Sequence, residues 1–194
     1  MKITRVLGLV VVVVALATLS SKAQNVDISA SNVKWTGYHL AKSYEHYGYV
    51  KLKSGELTIN DGKLSGGSIV INMASISNTD LTDEKKNKDL VKDLKSARFF
   101  NTSEFPEASI SITKVTARPN NEYALTAEIE IRGIKQNIEF VLTQSTANGK
   151  VVFDGKLEID RIAHEVMYGW SIENAMLSNN FDLDVHIVLE QGSR

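Results

Sequence analysis

Apolar and polar residues alternate with a period of two over much of the chain. In the clearest run, Phe181, Leu183, Val185, Ile187 and Leu189 alternate with residues that are mostly charged or polar. Successive side chains of a β-strand point to opposite faces, so this pattern predicts a strand with one face against a core. Seven more candidate strands lie at 33–38, 47–59, 64–73, 108–115, 123–131, 138–142 and 151–159. The sequence therefore predicts an all-β domain of about eight strands.

Short turn sequences separate these strands. They are Asn60-Asp61-Gly62, Asn120-Asn121, Arg132-Gly133 and Asn148-Gly149. Connections as short as these join antiparallel neighbours. Eight such strands can close into a barrel, which removes exposed sheet edges, or pack as two sheets in a sandwich. Alternation alone fits both architectures.

One segment departs from the strand pattern. Residues 82–94 are rich in Lys, Asp and Glu, and Leu90, Val91 and Leu94 lie near helical spacing. We therefore expect a single solvated surface helix on a long connection, with Thr79 or Asp80 capping its start.

Residues 1–23 have the features of a secretory signal peptide. Lys2 and Arg5 precede an apolar run, and Ser21-Lys22-Ala23 ends in a small-x-small cleavage pattern. The apolar run is shorter than the roughly 20 residues that a membrane-spanning helix needs. We expect cleavage before Gln24, which leaves residues 24–194 as one exported domain, periplasmic in a cell with two membranes.

Composition narrows the functional classes. Loss of the leader removes three basic residues and leaves 19 basic against 23 acidic, a net charge of −4, which argues against a nucleic-acid partner. The chain has no Cys, so disulfides and thiolate zinc sites are excluded. Its four His residues, at 39, 46, 164 and 186, lack zinc-site spacing, and no nucleophile or phosphate-loop motif occurs. We expect no cofactor, no metal and no catalytic residues.

The segment 94–106 places three of the six Phe residues within seven positions, at Phe99, Phe100 and Phe105. It resembles the Leu-Lys-Ser-x-x-Phe-Phe motif of the YceI-like, periplasmic polyisoprenoid-binding family. Six other pieces similar to that family occur in the same order: Trp35-Thr36-Gly37, His46-x-Gly48, the Gly-rich run 62–67, the run 75–81, Ile131-Arg132-Gly133-Ile134 and Ile159-Asp160-Arg161.

The resemblance implies a lipocalin-like barrel whose apolar tunnel holds a polyisoprenoid or a similar lipid tail. By residue type and motif position, the candidate wall residues are Trp35, Phe99, Phe100, Phe105, Phe140, Phe153 and Tyr168. The alternative for each ring is that it only fills the core. His46 is a further candidate ligand contact. Arg161 is a candidate for a phosphate head group, or else for a structural pair with Asp160 or Glu165.

Three functions remain open from the sequence. The first is a non-enzymatic carrier of an apolar lipid such as a polyprenyl chain. The second is a structural or adaptor protein of the envelope stress response whose barrel is filled, and the third is an enzyme that uses His46 or His164 on a lipid-like substrate. Asp93 and His164-Glu165 depart from the family pattern, which leaves the identity of the lipid open. The sequence determines neither the head group nor the oligomeric state.

Overall fold

The computed structural model describes residues 21–40, 43–167 and 175–191. Within these residues, nine strands and one α-helix follow one another. In order they are β1 (Ser21–Asn25), β2 (Asn32–His39), β3 (Glu45–Asn60), β4 (Lys63–Asn78), α1 (Glu84–Lys95), β5 (Glu107–Ala117), β6 (Glu122–Ile131), β7 (Ile134–Ala147), β8 (Lys150–Asp160) and β9 (Leu177–Val188).

Strands β2 to β9 form a closed antiparallel barrel. Each of these strands pairs with the next along the chain, including β4 and β5, which are separated in sequence by the helix. Strand β9 pairs with β2 and closes the ring. The ring confirms the predicted eight-stranded barrel and excludes the sandwich. Strand β1 lies outside the ring, where it pairs with the second half of β3, at 56–60. This ninth strand was not predicted, because it crosses the end of the expected leader.

The predicted turns are confirmed by their backbone angles. Tight hairpins that match the twist of a sheet need positive φ at both central residues, which Asn, Asp and Gly tolerate best. Both residues of each turn pair have φ between 49° and 77°: Asp61-Gly62, Asn120-Asn121, Arg132-Gly133 and Asn148-Gly149.

The connections divide the barrel into two unlike ends. The mouth end carries the connections that follow β2, β4, β6 and β8, and those after β4 and β8 are the longest. The opposite, closed end carries the short turns near residues 61, 120 and 148 and the β1–β2 connection, whose Asp27 amide donates to the Val188 carbonyl at 2.8 Å. The closed end is filled by aromatic rings, because Phe153 is fully buried and its ring centroid lies 6.1 Å from that of Tyr123.

The inward faces follow the predicted alternation. In β6, Tyr123, Leu125, Ala127, Ile129 and Ile131 are all at most 4% exposed, while the residues between them are half-buried. Antiparallel sheets with one face on a core give this pattern. The barrel interior is therefore the single hydrophobic core of the domain.

Helix α1 lies across the mouth end. It begins after Asp83, whose carboxylate accepts a hydrogen bond of 2.9 Å from the Lys86 amide. The expected cap, Thr79 or Asp80, was wrong, because the Asp80 carboxylate bonds to β3 instead. Leu94 is buried toward the barrel and the first half of the helix is exposed, as predicted. No helix in the described segments is long and apolar enough to cross a membrane.

Gly48 marks the closest approach of β3 to β4, and its replacement tests the packing there. A Cβ at this position would lie 1.8 Å from the carbonyl oxygen of Ser77. We expect Gly48→Ala to lower the free energy of unfolding by about 1–3 kcal/mol, because the two strands must separate. The measurement is urea denaturation, with Gly66→Ala as the control, since the nearest atom there is 4.0 Å away. Equal effects of the two substitutions would contradict the steric explanation.

Candidate functional site

An apolar cavity of about 120 Å³ lies inside the mouth end. Its wall is built from β2, the start of β3, the inner face of α1, the Phe-rich segment after the helix, Arg161 and Val166 after β8, and the first half of β9. Nearly all of the exposed wall is apolar. A cavity of this character stays dry and accepts hydrocarbon, as apolar cavities of about 150 Å³ in other proteins do. We call this space the mouth cavity.

Two smaller cavities continue toward the closed end. Each has a volume of about 30 Å³, and neither exposes polar atoms. The first inner cavity is lined by Leu183, and the second by Val185 and Ile187, so they follow β9 away from the mouth. The barrel is thus filled at one end and holds a series of three apolar spaces behind the other.

Overlapping main-chain hydrogen bonds fix the Phe-rich segment after α1. The Phe100 amide donates to the Leu94 carbonyl at 3.0 Å, and the Phe99 and Asn101 amides donate to the Ser96 carbonyl at 3.0 and 2.9 Å. The chain reverses at Asn101, which has φ of 47°. Both Phe99 and Phe100 then line the mouth cavity.

Phe105 has a different position although it is only five residues further along. Its ring packs on the β6–β7 turn, where a Cβ at Gly133 would lie 3.2 Å from its Cε1 atom. The glycine of this turn is therefore needed for two reasons, its positive φ and the close approach of this ring.

Arg132 joins the two long connections at the mouth. Its Nη1 atom donates to the carbonyl oxygens of Phe99, of Ala97 at 3.4 Å and of Glu165 at 2.8 Å. The sequence marked this residue only as part of a turn and of the family-like piece 131–134. The available signal for this role was a long cationic side chain next to a turn glycine. The carbonyl groups that it contacts belong to distant segments, so the sequence could not identify them.

His46 and Asp80 form a polar pair at the edge of the mouth cavity. His46 Nδ1 lies 2.7 Å from Asp80 Oδ2, and the Tyr47 amide donates to Asp80 Oδ1 at 2.9 Å. Burial raises the pKa of the Asp80 carboxyl, but the hydrogen bonds from His46, Tyr47 and Asn78 outweigh it and leave the pKa below its ordinary value. The carboxylate is therefore ionised at neutral pH and anchors one imidazole nitrogen beside the cavity.

Among the described residues, the histidines at this end belong to no group of three metal-ligating side chains. His39 and His46 both line the mouth cavity, but the Tyr44 ring stands between them, with centroids 5.2 Å from His39 and 4.7 Å from His46. Across residues 21–40, 43–167 and 175–191, His, Asp and Glu side chains nowhere gather in a group of three suited to a metal ion.

Arg161 is 5% exposed and lines the mouth cavity. Its Nε donates to the Ser178 carbonyl at 2.6 Å, and its Nη1 to that of Val166 at 3.2 Å. Burial lowers the pKa of the guanidinium, while the charge of Asp160 raises it. These bonds tie the two ends of the 161–176 connection together and hold a positive charge at an otherwise apolar wall.

His164 is 1% exposed and packs beneath the same connection. Its Nδ1 lies 3.2 Å from the Ile134 carbonyl oxygen, which can only accept, so this nitrogen carries the proton. Burial lowers the pKa of His164, and hydrogen bonds to the carbonyls of Ile134 and Ile131 oppose that shift. Val166, two residues later, reaches the cavity wall.

Sequence comparison identifies the family. Residues 24–189 match the YceI-like domain. The chain belongs to the YceI-like family. No curated protein shows significant similarity to it.

Solved structures share the fold of this YceI-like domain. Burkholderia cenocepacia BcnA matches with a TM-score of 0.65 at 20% identity, over 84% of this chain and 98% of that one. A polyisoprenoid binding domain from Saccharophagus degradans matches with a TM-score of 0.62 at 13% identity, over 90% and 100%. The Campylobacter jejuni YCEI protein matches with a TM-score of 0.52 at 13% identity, over 99% and 100%.

The structure brings five of the nine candidate residues to the mouth cavity of this YceI-like domain: Trp35, His46, Phe99, Phe100 and Arg161. Phe140 lines the second inner cavity instead. Within the described part of the chain, Phe105 and Phe153 border none of the three cavities, and Tyr168 lies outside the described residues. Leu90, Leu94 and Phe181 also line the mouth cavity, although the sequence did not predict them as wall residues.

The buried imidazole of His164 predicts a pH-dependent stability. Because its folded pKa lies below the unfolded value of about 6.5, the unfolded chain binds more protons as the pH falls. We expect the free energy of unfolding to drop between about pH 7.5 and 5.5, and His164→Gln to reduce that drop. Urea denaturation across the pH range measures it.

The control for this prediction is His186→Gln. His186 is on the outer surface beside Asp154, 2.6 Å away, so this variant keeps the buried His164 and should keep the drop. An identical pH profile for His164→Gln and the unsubstituted protein would contradict the prediction.

Proposed function

We propose that this protein is an exported, non-enzymatic carrier that holds the tail of a long apolar lipid, such as a polyprenyl chain, inside its barrel. The observation that carries the proposal is the mouth cavity, which is almost wholly apolar and is followed by two more apolar spaces along the barrel axis. A cavity wall that exposes almost only apolar surface selects a hydrocarbon rather than a polar metabolite.

The energetics favour a long tail. Each buried CH₂ contributes about 0.8 kcal/mol, so affinity rises with the length of chain that the barrel buries. Ordering a flexible tail reduces this sum. A branched prenyl chain suits such a wall because it needs no hydrogen bonds along its length. The Saccharophagus degradans domain, which shares the fold, is named for polyisoprenoid binding.

The polar groups at the mouth mark the position that we propose for the lipid head group. His46, anchored by Asp80, and Arg161 both border the mouth cavity. A tail that enters from the mouth would leave its head group at this end. We propose Arg161 as the contact for an anionic head, because guanidinium groups favour phosphate and carboxylate oxygens.

Binding of a prenyl alcohol tests the proposal. We expect farnesol at about 100 times its Kd to stabilise the protein by about 2.7 kcal/mol, which raises the melting temperature by about 5–10 °C. Organic extraction of the native protein followed by mass spectrometry should recover an isoprenoid lipid. A protein that repeatedly yields no lipid and shows no thermal shift would favour the structural alternative with a filled barrel.

Gly37 offers a variant that closes the cavity. It lines the mouth cavity, and a Cβ there would lie 3.9 Å from Trp35 Cζ3, so a side chain has room. Gly37→Leu should fold normally and lose the thermal shift. The matched control is Gly66→Leu, at a position that pairs with Thr58 and lines none of the three cavities. Undiminished farnesol binding by Gly37→Leu would place the ligand elsewhere.

Export is tested by the mass of the mature protein. The YceI-like match begins at Gln24, directly after the small-x-small pattern at 21–23. We expect protein from the periplasm to have lost residues 1–23, and Ala23→Asp to retain them because the cleavage site needs a small residue. Intact-mass spectrometry measures both. A mature protein that keeps its first 23 residues would contradict the expected boundary.

A further inference from the structure

Three aromatic rings separate the mouth cavity from the first inner cavity. Trp35, Phe100 and Phe181 line both spaces, so they lie between them. The Phe100 and Phe181 rings meet edge to face, with centroids 6.0 Å apart. We call these three rings the aromatic partition. A tail that fills the mouth cavity reaches the inner cavities only by passing it.

Two of the three rings are held by the barrel itself. Trp35 belongs to β2, which pairs on both sides, and its Nε1 donates to the Ser77 carbonyl at 2.9 Å. Phe181 belongs to β9 and pairs with Gly37 on one side and Ile159 on the other. Neither ring can leave the partition without disturbing strands that close the ring.

Phe100 is held differently. It lies on the connection after α1 rather than on a strand, and it is half-buried, whereas Trp35 and Phe181 are buried. Its amide bond to the Leu94 carbonyl fixes its backbone, but no ladder pairing surrounds it. Among the three rings it is the one that can rotate at the lowest cost.

We propose that Phe100 sets the length of apolar tail that the barrel accepts. With the ring in place, a tail fills the mouth cavity of about 120 Å³ and stops. With the ring displaced or removed, the mouth cavity and the first inner cavity become one passage toward the closed end. This inference rests on the proposed lipid binding and adds the residue that determines which tail lengths bind tightly.

Prenyl alcohols of two, three and four isoprene units test the proposal on the full mature protein. Each further carbon that is buried tightens binding about fourfold. In the unsubstituted protein we expect the gain to level off beyond the tail that fills the mouth cavity. In Phe100→Ala, the Kd of the four-unit alcohol should fall at least about tenfold, while that of the two-unit alcohol stays within about twofold. Isothermal titration measures each Kd.

Two further variants separate a partition from a simple wall. Phe99→Ala enlarges the mouth cavity from the same segment without touching the first inner cavity, so it should shift all three Kd values alike. Phe100→Leu should show the same length dependence as Phe100→Ala, to a smaller degree, and serves if the alanine variant does not fold.

The outcomes distinguish this inference from the proposed function. If the unsubstituted protein binds all three alcohols and Phe100→Ala or Phe100→Leu leaves their relative affinities unchanged, the partition is wrong and lipid binding stands. A parallel shift of all three affinities in those variants likewise overturns the partition. If none of the alcohols binds the unsubstituted protein, both proposals fail together.

Discussion

Closure of the ring is the constraint on which the rest of the structure depends. Strand β3 pairs with β2 through its first half and with β4 over most of its length, and β9 returns to β2. Once the ring is closed, every inward side chain must share one interior, and an eight-stranded barrel has room either for those side chains or for them and one small guest. The small residues of the chain decide how tightly the strands approach, as Gly48 against Ser77 illustrates.

The two ends of the barrel differ, because side chains fill the interior at one end and leave apolar space at the other. Antiparallel strands place alternate connections at opposite ends. Here the turns near residues 61, 120 and 148 fall at the short-turn end, while the two longest connections, after β4 and after β8, fall at the mouth together with the tight turn at 132–133. At the short-turn end, Tyr123 and Phe153 fill the interior. At the mouth, connections complete a wall that β2, β3 and β9 begin, so part of its shape follows from the bonds of residues such as Arg132 and Ser96.

The parts of the fold that the sequence predicts well are those fixed by neighbouring residues. Alternation reveals the strands, and Asn-Gly or Asp-Gly pairs reveal turns that need positive φ. The helix cap fails because Asp80 and Asp83 satisfy the same local rule, and only the distant His46 and Tyr47 explain why Asp80 is engaged elsewhere. The same holds for the Phe residues. Phe100 and Phe105 lie in the same Phe-rich segment. Phe100 faces the cavity, whereas Phe105 packs against the turn at Gly133.

The polar groups around the mouth are largely engaged with main chain, and this explains why the cavity wall stays apolar. Arg132 donates to carbonyls of both long connections, Arg161 to Val166 and Ser178, and His164 to Ile134. Buried polar groups that are satisfied in this way order the loops at little cost. Because these polar groups are satisfied elsewhere, the cavity wall is characterised by its shape and its hydrocarbon surface. For the proposed lipid binding, such a wall separates tails by length and width more than by chemistry, and the aromatic partition is where we propose that this selectivity lies.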